Sequence, residues 1–197
     1  MPTLPPVTKA LILICVGVFS AQQLLPQAFD SLLALWPLQS GNFLPWQPLS
    51  YAFLHGSLTH LFFNMLALWM FGADIERLWG GKRFLQFLLA STLAAAVVQL
   101  LWTLVIGSRY PTVGASGATF GLLLAFGMMF PNRMIMLLIP PIPMKAKYFV
   151  AIFGTLELVF GVTGGSGIAH FAHLGGMLGG FLMIRYWRGQ LPFGRRR

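Results

Sequence analysis

Charge is what this chain has least of: four acidic and 13 basic side chains in 197 residues, 9% in all. A soluble domain carries about 25%, so this chain cannot cover itself in water. Cysteine is almost absent too. The single thiol, Cys15, lies inside an apolar run, which excludes a disulfide framework and a cysteine-based metal site. No His-Glu-x-x-His occurs, and the four histidines have no carboxylate companions in sequence. A metalloprotease reading therefore fails, and neither a metal nor any other cofactor is expected. The net charge of +9 does not mark a nucleic-acid surface, because the basic residues cap apolar segments instead of lining one soluble face.

What the chain has in abundance is hydrocarbon. Hydrophobic residues make up 57% and mean hydropathy is +0.76. Apolar runs reach the length of about 18 residues needed to cross a core of about 30 Å. Proline and glycine clusters separate them, which predicts six helices over 8–25, 57–76, 83–106, 115–130, 146–162 and 169–187. The expected fold is an all-α, polytopic membrane protein, with one domain spanning 1–197. Lys9 ahead of the first run resembles a signal sequence. Ser20-Ala-Gln-Gln23 offers no small-x-small cleavage site, however, so the run reads as a retained span.

Loop charge then orients the bundle. Alternate loops, 26–56, 107–114 and 163–168, contain one basic residue, Arg109, and the other 12 of the 13 lie in the remaining loops and ends. That bias predicts both termini inside. The stretch 26–54, with Trp36, Trp46 and no basic residue, reads as an interfacial element. Pro140-Pro-Ile-Pro143 reads as a rigid cytoplasmic bend, Gly164–Gly167 as a lid above the sixth helix, and Arg195–Arg197 as an anchor to anionic lipid.

Polar residues inside the spans mark a site. His60 and Asn64, Ser116, and His173 each sit near the outer end of a helix running from outside to inside. Counted from the inner basic residues Arg77, Arg133 and Arg188, the separations are 17, 17 and 15 residues, or about 22–26 Å. One shared depth on three parallel helices indicates one water-accessible cavity. Gly176 and Gly180 follow His173 on roughly one face. Gly117, Gly121 and Ala125 form a small-residue stripe below Ser116, and such stripes allow close helix approach. A serine nucleophile needs a base and donors for the oxyanion. His173 supplies the base, and Ser116, behind Gly114 and Ala115, begins a helix whose N–H groups attract an anion. His60 and Asn64 are further donors. Of the four acids, Asp74 and Glu76 are cytoplasmic and Asp30 is in a loop. Glu157 in the fifth helix reads either as a group that orients the base or, more simply, as a protonated or hydrogen-bonded structural glutamate, so a Ser–His dyad is the simplest mechanism. His55 and His170 read as structural or water-facing.

These residues resemble the rhomboid intramembrane serine proteases. Gly114-Ala-Ser-Gly117 is similar to the family's GxSG motif. His55-Gly-Ser-Leu-Thr-His-Leu-Phe-Phe-Asn64 is similar to HxxxxHxxxN, and Ala172-His-Leu-Gly-Gly-Met-Leu-Gly-Gly180 to AHxxGxxxG. Glu76-Arg77 followed by Gly80 resembles the ExR-type patch that closes the second helix. The resemblance covers about residues 8–187. It implies a six-helix rhomboid bundle and a serine endopeptidase acting on single-pass transmembrane proteins near their outer ends. Ser116 would be the nucleophile and His173, not His170, its base. His60, Asn64 and the Ser116 backbone would form the oxyanion hole, with Phe120 packed on the His173 ring. Trp46-Gln47 stands where some bacterial relatives carry Trp-Arg. The implied location is a bacterial inner membrane with the site open to the outer side, in contact with lipid and not with nucleic acid. A small transporter lined by the same polar residues, or a non-proteolytic binder of membrane proteins, is the competing reading.

Overall fold

The computed structural model describes residues 3–137, 141–164 and 169–190. Pro140, the Gly165–Gly167 part of the expected lid and the tail Arg195–Arg197 lie outside the described residues.

The first span, α1 (Pro6–Leu24), opens on proline, whose missing N–H is no loss in a first turn. The remaining N–H groups of that turn are capped from another helix. Buried Glu76 accepts from Val7 N at 2.9 Å and from both Thr8 N and Thr8 Oγ1 at 2.7 Å, placing a negative charge at the positive end of the helix dipole.

The stretch after α1 folds into amphipathic α2 (Pro26–Leu33), the 3₁₀ turn Leu38–Ser40, the single turn α3 (Gln47–Ser50) and the 3₁₀ turn Tyr51–Phe53. Gln47 is fully buried and ties these pieces together. Its Oε1 accepts from Trp36 N, and its Nε2 donates to Asn42 O, both at 3.2 Å.

The second span is one rod made of α4 (Leu58–Ala67), a π-helical segment (Leu68–Gly72) and α5 (Ala73–Trp79). Ser57 Oγ caps it by accepting from His60 N at 3.1 Å. Gly80, at φ +76°, ends it in a conformation that a Cβ opposes. The remaining spans are α6 (Gly81–Ile106), α7 (Ser116–Met129), α8 (Ala146–Thr163) and α9 (His170–Trp187). All six expected helices are present, with ends shifted by at most three residues. By length and composition α1, the α4–α5 rod, α6 and α8 can each cross a membrane, whereas α7 is a shorter apolar helix. Beside the bend expected at 140–143, two short strands pair antiparallel, β1 (Met134–Met136) with β2 (Pro143–Lys145), setting Ile135 opposite Met144. This is a small exception to the all-α architecture.

Helix α9 is central, packed on α6 and α7. Gly176 rests on the backbone of Gly117, so close that a Cβ there would overlap the Gly117 carbonyl. Gly180 does not join it on α7. A Cβ on Gly180 would meet Phe87 and Ser91 of α6. Four residues advance a helix by about 40° beyond a full turn, which carries Gly180 round toward α6. Outside this packed centre, Leu13, Leu85, Val97, Leu101, Val159 and Val162 remain exposed, as expected of surfaces facing hydrocarbon.

Candidate active site

Ser116 is the first residue of α7, and the chain before it is held by a neighbour. Gly114 N donates to Tyr51 O at 2.9 Å. Gly114 adopts φ +127°, and a Cβ there would lie 2.6 Å from His60 Cε1. Only glycine permits both this backbone and the approach of the His60 ring.

The close α7–α9 contact at Gly117 and Gly176 brings Ser116 Oγ to 2.8 Å from His173 Nε2. Phe120, one turn below Ser116, stacks on the His173 ring with centroids 4.2 Å apart and planes 7° from parallel. The stack fixes the ring plane and the Ser116 hydrogen bond fixes its edge.

A carboxylate completes this row. Glu157 Oε2, from α8, lies 2.7 Å from His173 Nδ1 and 2.6 Å from His170 Nδ1. All three residues are buried. Of the two roles the sequence offers for Glu157, the contact with His173 fits the orienting one, and His170, expected to be structural or water-facing, is buried against the same carboxylate. A signal for Glu157 existed. Twelve residues from Lys145 place it about 18 Å above the inner end, within one turn of the depth counted for His173. Its approach to His173 depends on how α8 packs against α9, which no spacing reveals.

His60 and Asn64 face the same region from α4. Asn64 Nδ2 donates to His60 O at 3.1 Å, and Asn64 Oδ1 accepts from Thr119 Oγ1 at 3.1 Å. Thr119 Oγ1 also lies 3.0 Å from Ser116 O, so this threonine, not singled out from sequence, links α4 to the first turn of α7. His60 Nδ1 accepts from Gly56 N at 3.4 Å. In the neutral ring that leaves Nε2 as the donor. His55, edge-on to His60 at 5.2 Å, is buried before α4 begins. Burial, and then the neighbouring His60, push its pKa down to about 4. Ser116, Thr119, His173, His60 and Asn64 line a single cavity of about 1110 Å³.

Glu157, His170 and His173 also bring three possible metal-ligand atoms within 4.8 Å of one another. Their N···O separations of 2.6 and 2.7 Å are those of charge-assisted N–H···O bonds. A metal would have to displace both protons.

A family model described as Rhomboid domain matches residues 43–189. The chain is 36% identical over 137 residues to Rhomboid protease GluP of Bacillus subtilis, covering 69% of this chain and 25% of that protein. It is 30% identical over 188 residues to Rhomboid protease GlpG of Serratia proteamaculans, covering 92% of this chain and 62% of that protein. It is 34% identical over 137 residues to Rhomboid protein 1, mitochondrial, of Saccharomyces cerevisiae, covering 66% and 38% respectively. The chain thus spans from a quarter to about three fifths of the length of these curated relatives.

Proposed function

Because the chain belongs to the rhomboid family, an integral membrane family, we propose that it is an intramembrane serine endopeptidase that cleaves single-pass membrane proteins near the outer ends of their spans. One observation carries this reading: a serine Oγ 2.8 Å from a histidine Nε2, at a helix N-terminus, in a cavity within an apolar bundle.

Ser116 attacks the scissile carbonyl carbon. As the O–C bond forms, the Oγ proton passes to His173 Nε2 and the carbonyl electron pair moves onto oxygen. The oxyanion is met by His60, Asn64 and the Ser116 backbone N–H. Collapse breaks the C–N bond, and Nε2 gives its proton to the departing amine. Water then attacks the acyl carbon, gives a proton to Nε2 and releases the carboxylate product, and that proton returns to Ser116 Oγ. Gly114, Gly117 and Gly176 permit the approach, Phe120 holds the ring, and Gly180 seats α9 on α6.

Helix α7 has 14 residues, about 21 Å of rise against a core of about 30 Å. With its inner end at the inner surface, Ser116 lies below the outer one. A fully helical substrate has its carbonyls bonded within the helix, so the substrate must unwind locally to be cut. We place the enzyme in a bacterial inner membrane, with lipid around it, both termini inside and the site open outward. The asymmetry of the basic loops supports this orientation, and 1–197 act as one domain. The cavity would also suit transport, but no feature of the Ser116–His173 contact calls for a transported ligand.

The test is cleavage of a model single-pass substrate by purified protein in vesicles. Wild type should cleave and be labelled by a fluorophosphonate at Ser116, while Ser116→Ala and His173→Ala should fold and do neither. Cleavage by folded Ser116→Ala at the wild-type rate rules the reading out.

A further inference from the structure

We infer that Glu157 is a positioning residue that makes a Ser–His–Glu triad of the Ser116–His173 pair, with His170 holding the carboxylate in place. The inference rests on Ser116 being the nucleophile, as proposed above.

The geometry is linear in the chemical sense. Ser116 Oγ meets one nitrogen of the His173 ring at 2.8 Å and Glu157 Oε2 meets the other at 2.7 Å. Three groups from three helices, α7, α9 and α8, are joined through opposite edges of one imidazole. Burial makes the third group costly unless it is matched. Glu157 is only 9% exposed, and an unpaired ionised carboxylate in such surroundings costs several kcal/mol. Helix α7 contains no ionisable acid or base, and the basic residues of α8 and α9 stand at their opposite ends. Among the described residues, the carboxylate is met by two imidazoles, those of His170 and His173.

The shared oxygen explains His170. Both histidines present Nδ1 to the same Oε2. The His170 bond holds that oxygen where it is, independent of what His173 does during a catalytic cycle.

The consequence for the base follows from proton counting. A neutral imidazole has one N–H, and an ionised carboxylate can only accept. Facing Glu157, His173 keeps its proton on Nδ1, and its Nε2 lone pair points at the Ser116 hydroxyl. When Nε2 takes the serine proton, the imidazolium forms 2.7 Å from a carboxylate that is already in place. Glu157 itself takes no proton. It selects the tautomer and stabilises the charge.

The test uses Glu157→Gln in the full chain in vesicles, a change that keeps shape and removes charge. We expect kcat to fall by about 10²–10⁴, toward the loss seen when a triad carboxylate is neutralised, with KM within about threefold of wild type. Fluorophosphonate acylation of Ser116 should slow in parallel. Glu157→Asp, which restores the charge one methylene short, should recover part of kcat. A packing role alone predicts a different outcome: the folded fraction of Glu157→Gln would acylate at the wild-type rate. That result, or wild-type kcat in Glu157→Gln, overturns the inference and leaves the protease reading standing. If Glu157→Gln does not fold, nitrogen NMR of labelled histidine in wild type reads the tautomer directly. A His173 proton on Nδ1 is expected, and one on Nε2 overturns the inference. A wild type that neither cleaves nor acylates removes the protease reading, and this inference with it.

Discussion

Gly176→Ala adds a single methyl group where α9 lies against α7. The added Cβ would overlap the carbonyl of Gly117. That carbonyl belongs to a helix backbone, so it cannot rotate away as a side chain would. Carbon needs about 3.5 Å to its neighbours, so the two helices must part by about 1 Å or more. Gly117 adjoins Ser116, and Gly176 is one turn from His173. Nearly all of the separation is therefore added to the 2.8 Å between Ser116 Oγ and His173 Nε2. The hydrogen bond stretches past the range of useful geometry. A misplacement of about 1 Å costs about 10² in rate, and overpacking costs about 1–3 kcal/mol in stability. We therefore expect kcat/KM for a model substrate to fall by about 100-fold or more, with slower acylation by a fluorophosphonate and a lower thermal midpoint in detergent. Gly154→Ala is the control. Its Cβ would meet the end of the flexible Met177 side chain at 3.2 Å, and activity should stay within about threefold of wild type. If Gly176→Ala also stays within threefold, close packing of α7 on α9 does not set the catalytic distance.

Three further outcomes follow from the same geometry. Asn64→Ala and His60→Ala should each lower kcat by about 10²–10³ with little change in KM, as expected for oxyanion donors; wild-type turnover in the double variant would remove them from that role. Glu76→Gln should lower the thermal midpoint, read by calorimetry in detergent, because one amide oxygen cannot replace a carboxylate that accepts from Val7 N, Thr8 N and Thr8 Oγ1; an unchanged midpoint contradicts the cap. Burial holds the pKa of the His55 imidazole down to about 4, below the ordinary histidine value of about 6.5, so the folded state binds fewer protons below that pH. Its contribution is complete above 6.5 and is lost as pH falls toward 4, on the order of 3 kcal/mol. Thermal midpoints across that window should drop in wild type and drop less in His55→Gln; equal slopes would refute the assignment.

The six spans were legible because each is a hydrocarbon run bounded by proline or glycine, and the bilayer imposes their length. Ser116, His173, His60 and Asn64 were legible as polar residues at one depth, and the structure gathers all four around one cavity. Between-helix geometry was not legible. The side of α9 that Gly180 faces depends on where α6 crosses it, and the bonds of Glu157 depend on the tilt of α8. The first loop has no apolar period to read. Its order comes from single buried polar groups such as Gln47, whose partners Trp36 and Asn42 are set only once the chain has turned back on itself. The π segment at Leu68–Gly72 has an ordinary apolar sequence that carries no sign of a wider turn.

The Glu76 cap also bears on how the protein is assembled. The donors at Val7 and Thr8 are synthesised 69 and 68 residues before their acceptor, so the first helix enters the bilayer before its partner exists. Its vertical position stays adjustable until the second span arrives. Glu76 then reads the register of α1. A helix that has slid by one residue presents the wrong N–H groups to a buried carboxylate, and the mismatch costs more than a slipped apolar contact between two greasy surfaces, which is nearly indifferent to sliding. A charge on the fifth helical segment thereby acts as the depth gauge for the first, in a bundle whose other contacts are mostly hydrocarbon.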